Sequence, residues 1–161
     1  MLTLLPYVDY NETARCLRNI DLQNQLAQVV IALDTLHEID EVTANAWRMH
    51  PITDMWKNHE LQLCEYGQAM CDEWQRRGKT DESVRLYERI QFHVECITCV
   101  EDFEMSKPPW MLDGRFYYLR RSHRSYLMGK DPKYYARFSW GVPTGLPIYW
   151  PKASEKQWKP E

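Results

Sequence analysis

Hydrophobic positions recur along this chain at the three- and four-residue spacing of helices, rather than at the alternation of strands. The clearest stripe is Leu22, Leu26, Val29, Val30, Leu33 and Leu36, which predicts a helix over 21–37 with one apolar face. A second stripe follows Pro51, a residue suited to the first helical position because its missing N–H would be unpaired there anyway. It runs through Ile52, Met55, Trp56, His59, Leu63, Tyr66, Met70 and Trp74, with Gly78 as its natural stop. Tyr87, Ile90, Val94 and Ile97 predict a third helix over 81–100, and 115–128 reads as a fourth.

Between these lie weaker signals. Residues 2–8 form an extended lead-in closed by Pro6, after which Asp9 or Asn11 caps a short helix over 12–19. The polar stretch 38–45 reads as a loop. Pro108–Pro109 breaks the chain, and Pro132, Pro143, Pro147 and Pro151 mark the remainder as loop and short turns. The expectation is a mainly α protein, one compact helical domain over 1–161. It has an extended N-terminal arm, a loop-rich C-terminus and a flexible tail at 152–161.

Composition changes this picture little. The chain's 161 residues can bury a core without disulfides, and 13% aromatic content is far too rich for a disordered segment. The start, MLTLLPYVDYNE, lacks the basic region of a signal peptide, and no apolar run approaches the ~20 residues of a membrane span. Five cysteines then suit a reducing compartment, so a cytoplasmic protein without membrane association is expected.

Charge changes it more. Residues 1–114 carry 10 Lys/Arg against 20 Asp/Glu, whereas residues 115–161 carry 10 against 3. Such a division points to a polyanionic partner for the basic part. The alternative is internal, with the basic third pairing with the acidic helices.

Cys96-Ile-Thr-Cys99, with Cys64, Cys71 and His93, has the residue types of a metal site. All lie on helical, largely apolar stretches where cysteine packs as a small hydrophobe, so no metal and no cofactor are expected. There is no Gly-rich phosphate loop and no Gly-x-Ser-x-Gly elbow. The segment RFYYLRRSHRSYLMGKDPKYYARF over 115–138 is more informative. Its cations neutralise phosphates, its hydroxyls donate to them, and its aromatic faces stack on unpaired bases. That reading selects Arg120, Arg121, Ser122, Arg124, Lys130, Lys133, Tyr134 and Tyr135 as DNA-contacting candidates. Arg48 and His50, just before the helix that starts at Pro51, add a second cationic element.

Several blocks together resemble the pyrimidine-dimer DNA glycosylase family of the phage endonuclease V type. They are MLTLLPYVDYNETARCL leading into DLQNQLAQVV, then AWRMHPITDMW, CDEWQRRG and SHRSYLMGKDPKYY. The likeness is closer to a related group of small actinobacterial and phage proteins. It is carried by Leu5-Pro6-Tyr7, the Trp-Arg-x-His-Pro at 47–51, Tyr66-Gly67, Ser-His-Arg-Ser at 122–125, Lys-Asp-Pro at 130–132 and Tyr149-Trp150-Pro151.

The resemblance implies base excision, in which the N-terminal amine attacks the sugar C1′ and a helix glutamate handles protons and charge. An α-amine, at about 7.7–8.0 unperturbed, is neutral enough near pH 7 for that role. Two positions depart from the pattern. Gln23 stands where the bacterial members carry the glutamate, and Leu2 is too bulky for removal of Met1, so the arm is one residue longer.

The resulting expectation is a DNA-binding protein on a glycosylase-like scaffold that reads damaged or modified bases and carries N-glycosylase chemistry at Met1 and Gln23. Glu60, His50 or His123 then supplies the lost acid–base group. Two alternatives stay open: a non-catalytic nucleic-acid-binding module, and a protein-interaction factor working through its acidic face.

Overall fold

The computed structural model describes residues 3–79, 81–99 and 106–152. Met1, Leu2 and most of the expected tail lie outside the described residues. Within them the protein is mainly α, with eight helices: α1 (Tyr10–Cys16), α2 (Asn19–Leu36), α3 (Glu41–Trp47), α4 (Pro51–Trp56), α5 (Glu60–Arg76), α6 (Asp81–Thr98), α7 (Arg115–Lys130) and α8 (Pro132–Tyr135). No described helix is long and apolar enough to cross a membrane.

Helices α2, α5 and α6 form the centre. The stripe of α2 (Leu22, Leu26, Val29 and Leu33) meets Leu63, Tyr66 and Met70 of α5, and all are buried. Gly67 sets how closely these helices approach. A Cβ there would stand 2.7 Å from Val29 Cγ1 and 2.8 Å from Ile90 Cδ1, so α5 touches both neighbours through its backbone. Gly78, at φ 77°, ends α5 as expected. Its N–H bonds Gln75 O and the next N–H bonds Trp74 O, the paired bonds of a left-handed helix stop.

Three expectations are corrected. The polar stretch 38–45 contains α3, because Asp40 caps it by accepting from Thr43 N–H at 3.0 Å and Ala44 is buried against the core. The long stripe from Ile52 to Trp74 is two helices, split where Asn58 takes φ 64° and the N–H of Asn58 bonds Glu60 Oε1. The first helix begins at Tyr10 and stops at Cys16, before Leu17 turns extended. Asp9 is its cap, accepting from Glu12 N–H at 2.8 Å.

The N-terminal segment is without helix over residues 3–5 and bends over 6–9, and its residues 3–6 are buried in the core. Trp56 Nε1–H donates to Thr3 Oγ1 at 2.9 Å, and Leu4 N–H donates to Gln25 Oε1 at 2.9 Å. Tyr66 O–H donates to Leu4 O, and Leu5 N–H donates to His123 Nδ1 at 2.9 Å. Backbone groups of a buried segment need partners, and here side chains of α2, α5 and α7 supply them in place of a sheet, while Trp56 of α4 holds the Thr3 hydroxyl.

Candidate nucleic-acid interface

Helix α7 carries the basic segment, and its two faces have different work. Phe116, Leu119, Ser122, His123, Ser125 and Leu127 are buried, while Arg121 is exposed and Arg120 and Arg124 half-buried. The three arginines converge with Tyr117 and Trp140 around a small notch of about 120 Å³. Arg121 donates to Tyr117 O–H at 3.1 Å. Arg124 donates through Nε to Pro6 O at 2.8 Å and lies over the rings of Tyr7 and Trp140. Burial and the neighbouring Arg120 both weaken the hold of Arg124 on its proton. Among the described residues none of the three has a carboxylate partner, and Arg120 Nε–H has no hydrogen-bond partner. Three adjacent cations without counter-charges repel one another, and an anion set between them relieves that repulsion.

Other residues of the same segment serve the fold. Ser122 is buried, donating to Leu119 O and accepting from Tyr149 N–H at 3.1 Å. Tyr135 is buried and donates to Asp21 Oδ2 at 2.7 Å, so its ring faces the core rather than a base. Lys130 reaches the other oxygen of Asp21 at 2.6 Å. Asp21 is a fully buried carboxylate at the start of α2, and burial alone would raise its pKa. The bonds from Arg18, Lys130 and Tyr135 outweigh that and hold it below the usual range. Lys133 is exposed, and Tyr134 is half-buried under the Arg137 guanidinium, 3.8 Å from its ring centre.

The candidates for chemistry are scattered. His123 is wholly enclosed, and burial pushes its pKa down to about 3. With Nδ1 accepting from Leu5 N–H, it is a neutral ring that fixes the arm. His50 caps α4 by accepting from Ile52 N–H at 3.2 Å, and burial lowers its pKa. Its ring stands edge-on to Trp47 and Trp150. Arg48 is exposed and pairs with Glu38 at 3.0 Å. Glu60 turns back to the Asn58 N–H, and Gln23 is half-buried on α2. Cys64 and Cys71 are buried in α5, with burial pushing both thiols up to about 12, whereas Cys96 is exposed on α6 and Cys99 is exposed just past its end.

Two features escaped the sequence. Gln25 holds Leu4 N–H and the Tyr66 hydroxyl, yet its signal was present as a polar residue set among Leu22, Leu26 and Val29. A cavity of about 770 Å³ lies between the end of α2, α4 and the closing segment. Its walls include Thr35, Arg48, Met49, Lys57, Trp150 and Lys152, which only tertiary folding brings together. The closing segment joins this cavity to the arginine notch. Trp140 lies at the notch, Leu146 N–H bonds Ser125 Oγ, Tyr149 N–H bonds Ser122 Oγ, and Trp150 reaches the cavity.

The profile of a family described as pyrimidine dimer DNA glycosylase matches residues 1–86, the arm and α1 to α5 with the start of α6. No curated protein and no solved structure matches the chain.

Proposed function

We propose, from the premise that the chain belongs to the pyrimidine dimer DNA glycosylase family, that it binds DNA and reads a damaged or modified base in it. The observation that carries this reading is the notch of Arg120, Arg121 and Arg124, three adjacent cations with no carboxylate partner among the described residues. Cations that no described carboxylate neutralises suit phosphates, which fix register and orientation while carrying no sequence information. The test is the salt dependence of binding to duplex DNA for wild type and Arg120→Ala/Arg121→Ala. Each phosphate contact removed should lower the slope of log K against log salt by about 0.9. An unchanged affinity and slope would refute the assignment. Arg124 is left intact because it also holds Pro6.

The chemistry follows from the same premise. An amine at C1′ needs a nearby acid–base group, and Gln23 carries no proton to give, a deficit worth about 10²–10⁴-fold. Wild-type cleavage of a dimer-containing duplex should therefore be weak, and Gln23→Glu should raise it. Borohydride trapping of the imine reads the same step by joining protein to DNA. Leu2→Thr, which permits removal of Met1, completes the series. A second reading, binding without catalysis, is favoured by His123, which is fully enclosed with Nδ1 accepting from Leu5 N–H, and by His50, whose Nδ1 accepts from Ile52 N–H as the cap of α4. Tight binding with no trapping in any variant would select it.

A further inference from the structure

The notch on α7 offers more cations than one phosphate inside a DNA strand uses. Tyr117, Arg120, Arg121 and Arg124 recur at spacings of three and four, so a single helix face brings them together. Trp140, Gly141 and Val142 complete the lining around a space of about 120 Å³. That is well below the roughly 300–1,000 Å³ of small-molecule pockets, so it suits one phosphate group rather than a whole nucleotide.

Most of its donors are unspent. Arg121 donates once, to the Tyr117 hydroxyl, and Arg124 once, to Pro6 O. Arg120 lies over the Phe116 ring, 5.6 Å from its centroid, a contact that supplies no acceptor. Its Nε–H is buried without a partner among the described residues. A buried donor is costly to leave unpaired, and an arriving acceptor removes that cost.

Charge separates two kinds of phosphate that could fill the space. A phosphodiester within a strand carries one negative charge and leads to a sugar on both sides. A phosphomonoester carries about 1.5–2 negative charges near pH 7 and has three oxygens free to accept. The second matches three guanidiniums, whose planar forks bind such oxygens in pairs. It is also attached through one ester only, so it enters a small notch end-on while its strand stays outside.

We infer that the notch takes the phosphomonoester end of a DNA strand, so that the protein prefers duplex with a phosphorylated break to unbroken duplex. This rests on the reading of the protein as DNA-binding and names the kind of phosphate and of DNA. A break presents such a group on its 5′ or its 3′ side, with the same charge and the same oxygens.

The test uses the full chain and internally labelled duplexes of one sequence, all with hydroxyls at their outer ends. One is unbroken, one nicked with hydroxyls on both sides, one nicked with a 5′-phosphate and one with a 3′-phosphate. Anisotropy at one salt concentration should show a phosphorylated nick bound about tenfold more tightly than the hydroxyl nick, the worth of a hydrogen bond to a charged group. The two phosphorylated arms tell which end is seated. Arg120→Gln, which removes the charge, should bring the ratio close to one while the unbroken duplex is still bound. Lys133→Ala, exposed and outside the notch lining, should leave the ratio at its wild-type value. Equal wild-type affinity for hydroxyl and phosphorylated nicks overturns the inference and leaves the DNA-binding reading standing. A ratio that survives Arg120→Gln combined with Arg121→Gln puts the phosphate elsewhere and overturns it as well. No binding to any of the duplexes overturns both.

Discussion

The acidic helices and the basic face of α7 treat their arginines in opposite ways. Arg76 and Arg77 share Glu73, Arg89 leans on Asp34, and Arg18 bridges Asp21 and Asp131. On α7 the arginines numbered 120, 121 and 124 meet rings, a hydroxyl and a carbonyl, but no described carboxylate. Arg18, Arg76 and Arg77 stand at helix ends, whereas Arg89, like the three arginines of α7, stands within its helix and is paired all the same, so position along a helix does not by itself decide the contrast. In the first set charge closes the fold on itself, and its worth is counted in stability. In the second it is left for a partner, and its worth should appear only when an anion is present.

The largest effect that would break this contrast concerns Arg77. Its guanidinium bonds Glu73 Oε1 at 2.7 Å and also caps Leu17 O, Ala14 O and the Asn19 side chain, tying α5 to the end of α1. Glu73 is almost fully enclosed, so removing Arg77 strips a buried carboxylate of one of its two cations. Arg77→Met should cost about 2–3 kcal/mol in urea unfolding, as expected for losing hydrogen bonds to a buried charged group. DNA affinity should survive at temperatures where the variant stays folded. A variant as stable as wild type would mean that these pairs are as dispensable as exposed ones.

Much of this was legible in advance. Apolar periodicity located α2, α6 and the body of α5, because burying one helix face against another is the main thing that stabilises them, and α7 was read as helical without such a stripe. It failed at α3, where capping by Asp40 and a single buried alanine suffice. It also merged α4 with α5, because the three-residue break over 57–59, turned by the left-handed Asn58, leaves the stripe nearly in phase. The basic segment was legible as charge, but which cations are free was not. Lys130 and Arg121 look alike in sequence, and only folding sets Lys130 beside Asp21. Tyr135 and Ser122 face the core for the same reason. The cavity joins residues 35 to 152, and no local pattern encodes such a meeting.

A middle-sized effect should come from pH, and it belongs to the closed part of the molecule. His93 is fully buried, its Nε2 2.8 Å from Asp34 and its Nδ1 2.7 Å from His37 Nδ1. One proton serves that imidazole pair. Burial lowers both pKa values, more than Asp34 or Glu60 raises them and with Arg89 acting against charge on His93. His123, at about 3, behaves alike. Unfolded histidines titrate near 6.5, so below that pH the unfolded chain takes up protons that the folded one refuses. Stability should therefore be flat above about pH 6.5 and fall as the pH drops. The paired carboxylates join only below about pH 4, near their unfolded values. Urea midpoints between pH 7.5 and 5 check this, and His123→Asn, which still offers an acceptor to Leu5 N–H, should flatten part of the slope. A midpoint independent of pH in that range would contradict the burial of these rings.

The smallest effect is the sharpest on the other side of the comparison. Arg121 makes one exposed bond, to the Tyr117 hydroxyl, and nothing described in the fold depends on it. Arg121→Ala should leave the urea midpoint where it is, since an exposed side chain of this kind adds little. It also removes like-charge repulsion from Arg120 and Arg124, which acts in the opposite direction. The same substitution should weaken DNA binding and lower its salt slope by about 0.9, the signature of one phosphate contact. Arg121→Lys should recover the slope more fully than the affinity, because lysine keeps the charge but not the planar fork. If Arg121→Ala lowered stability as much as it lowered binding, α7 would use its arginines as the acidic helices do, and the division between the two regions would dissolve.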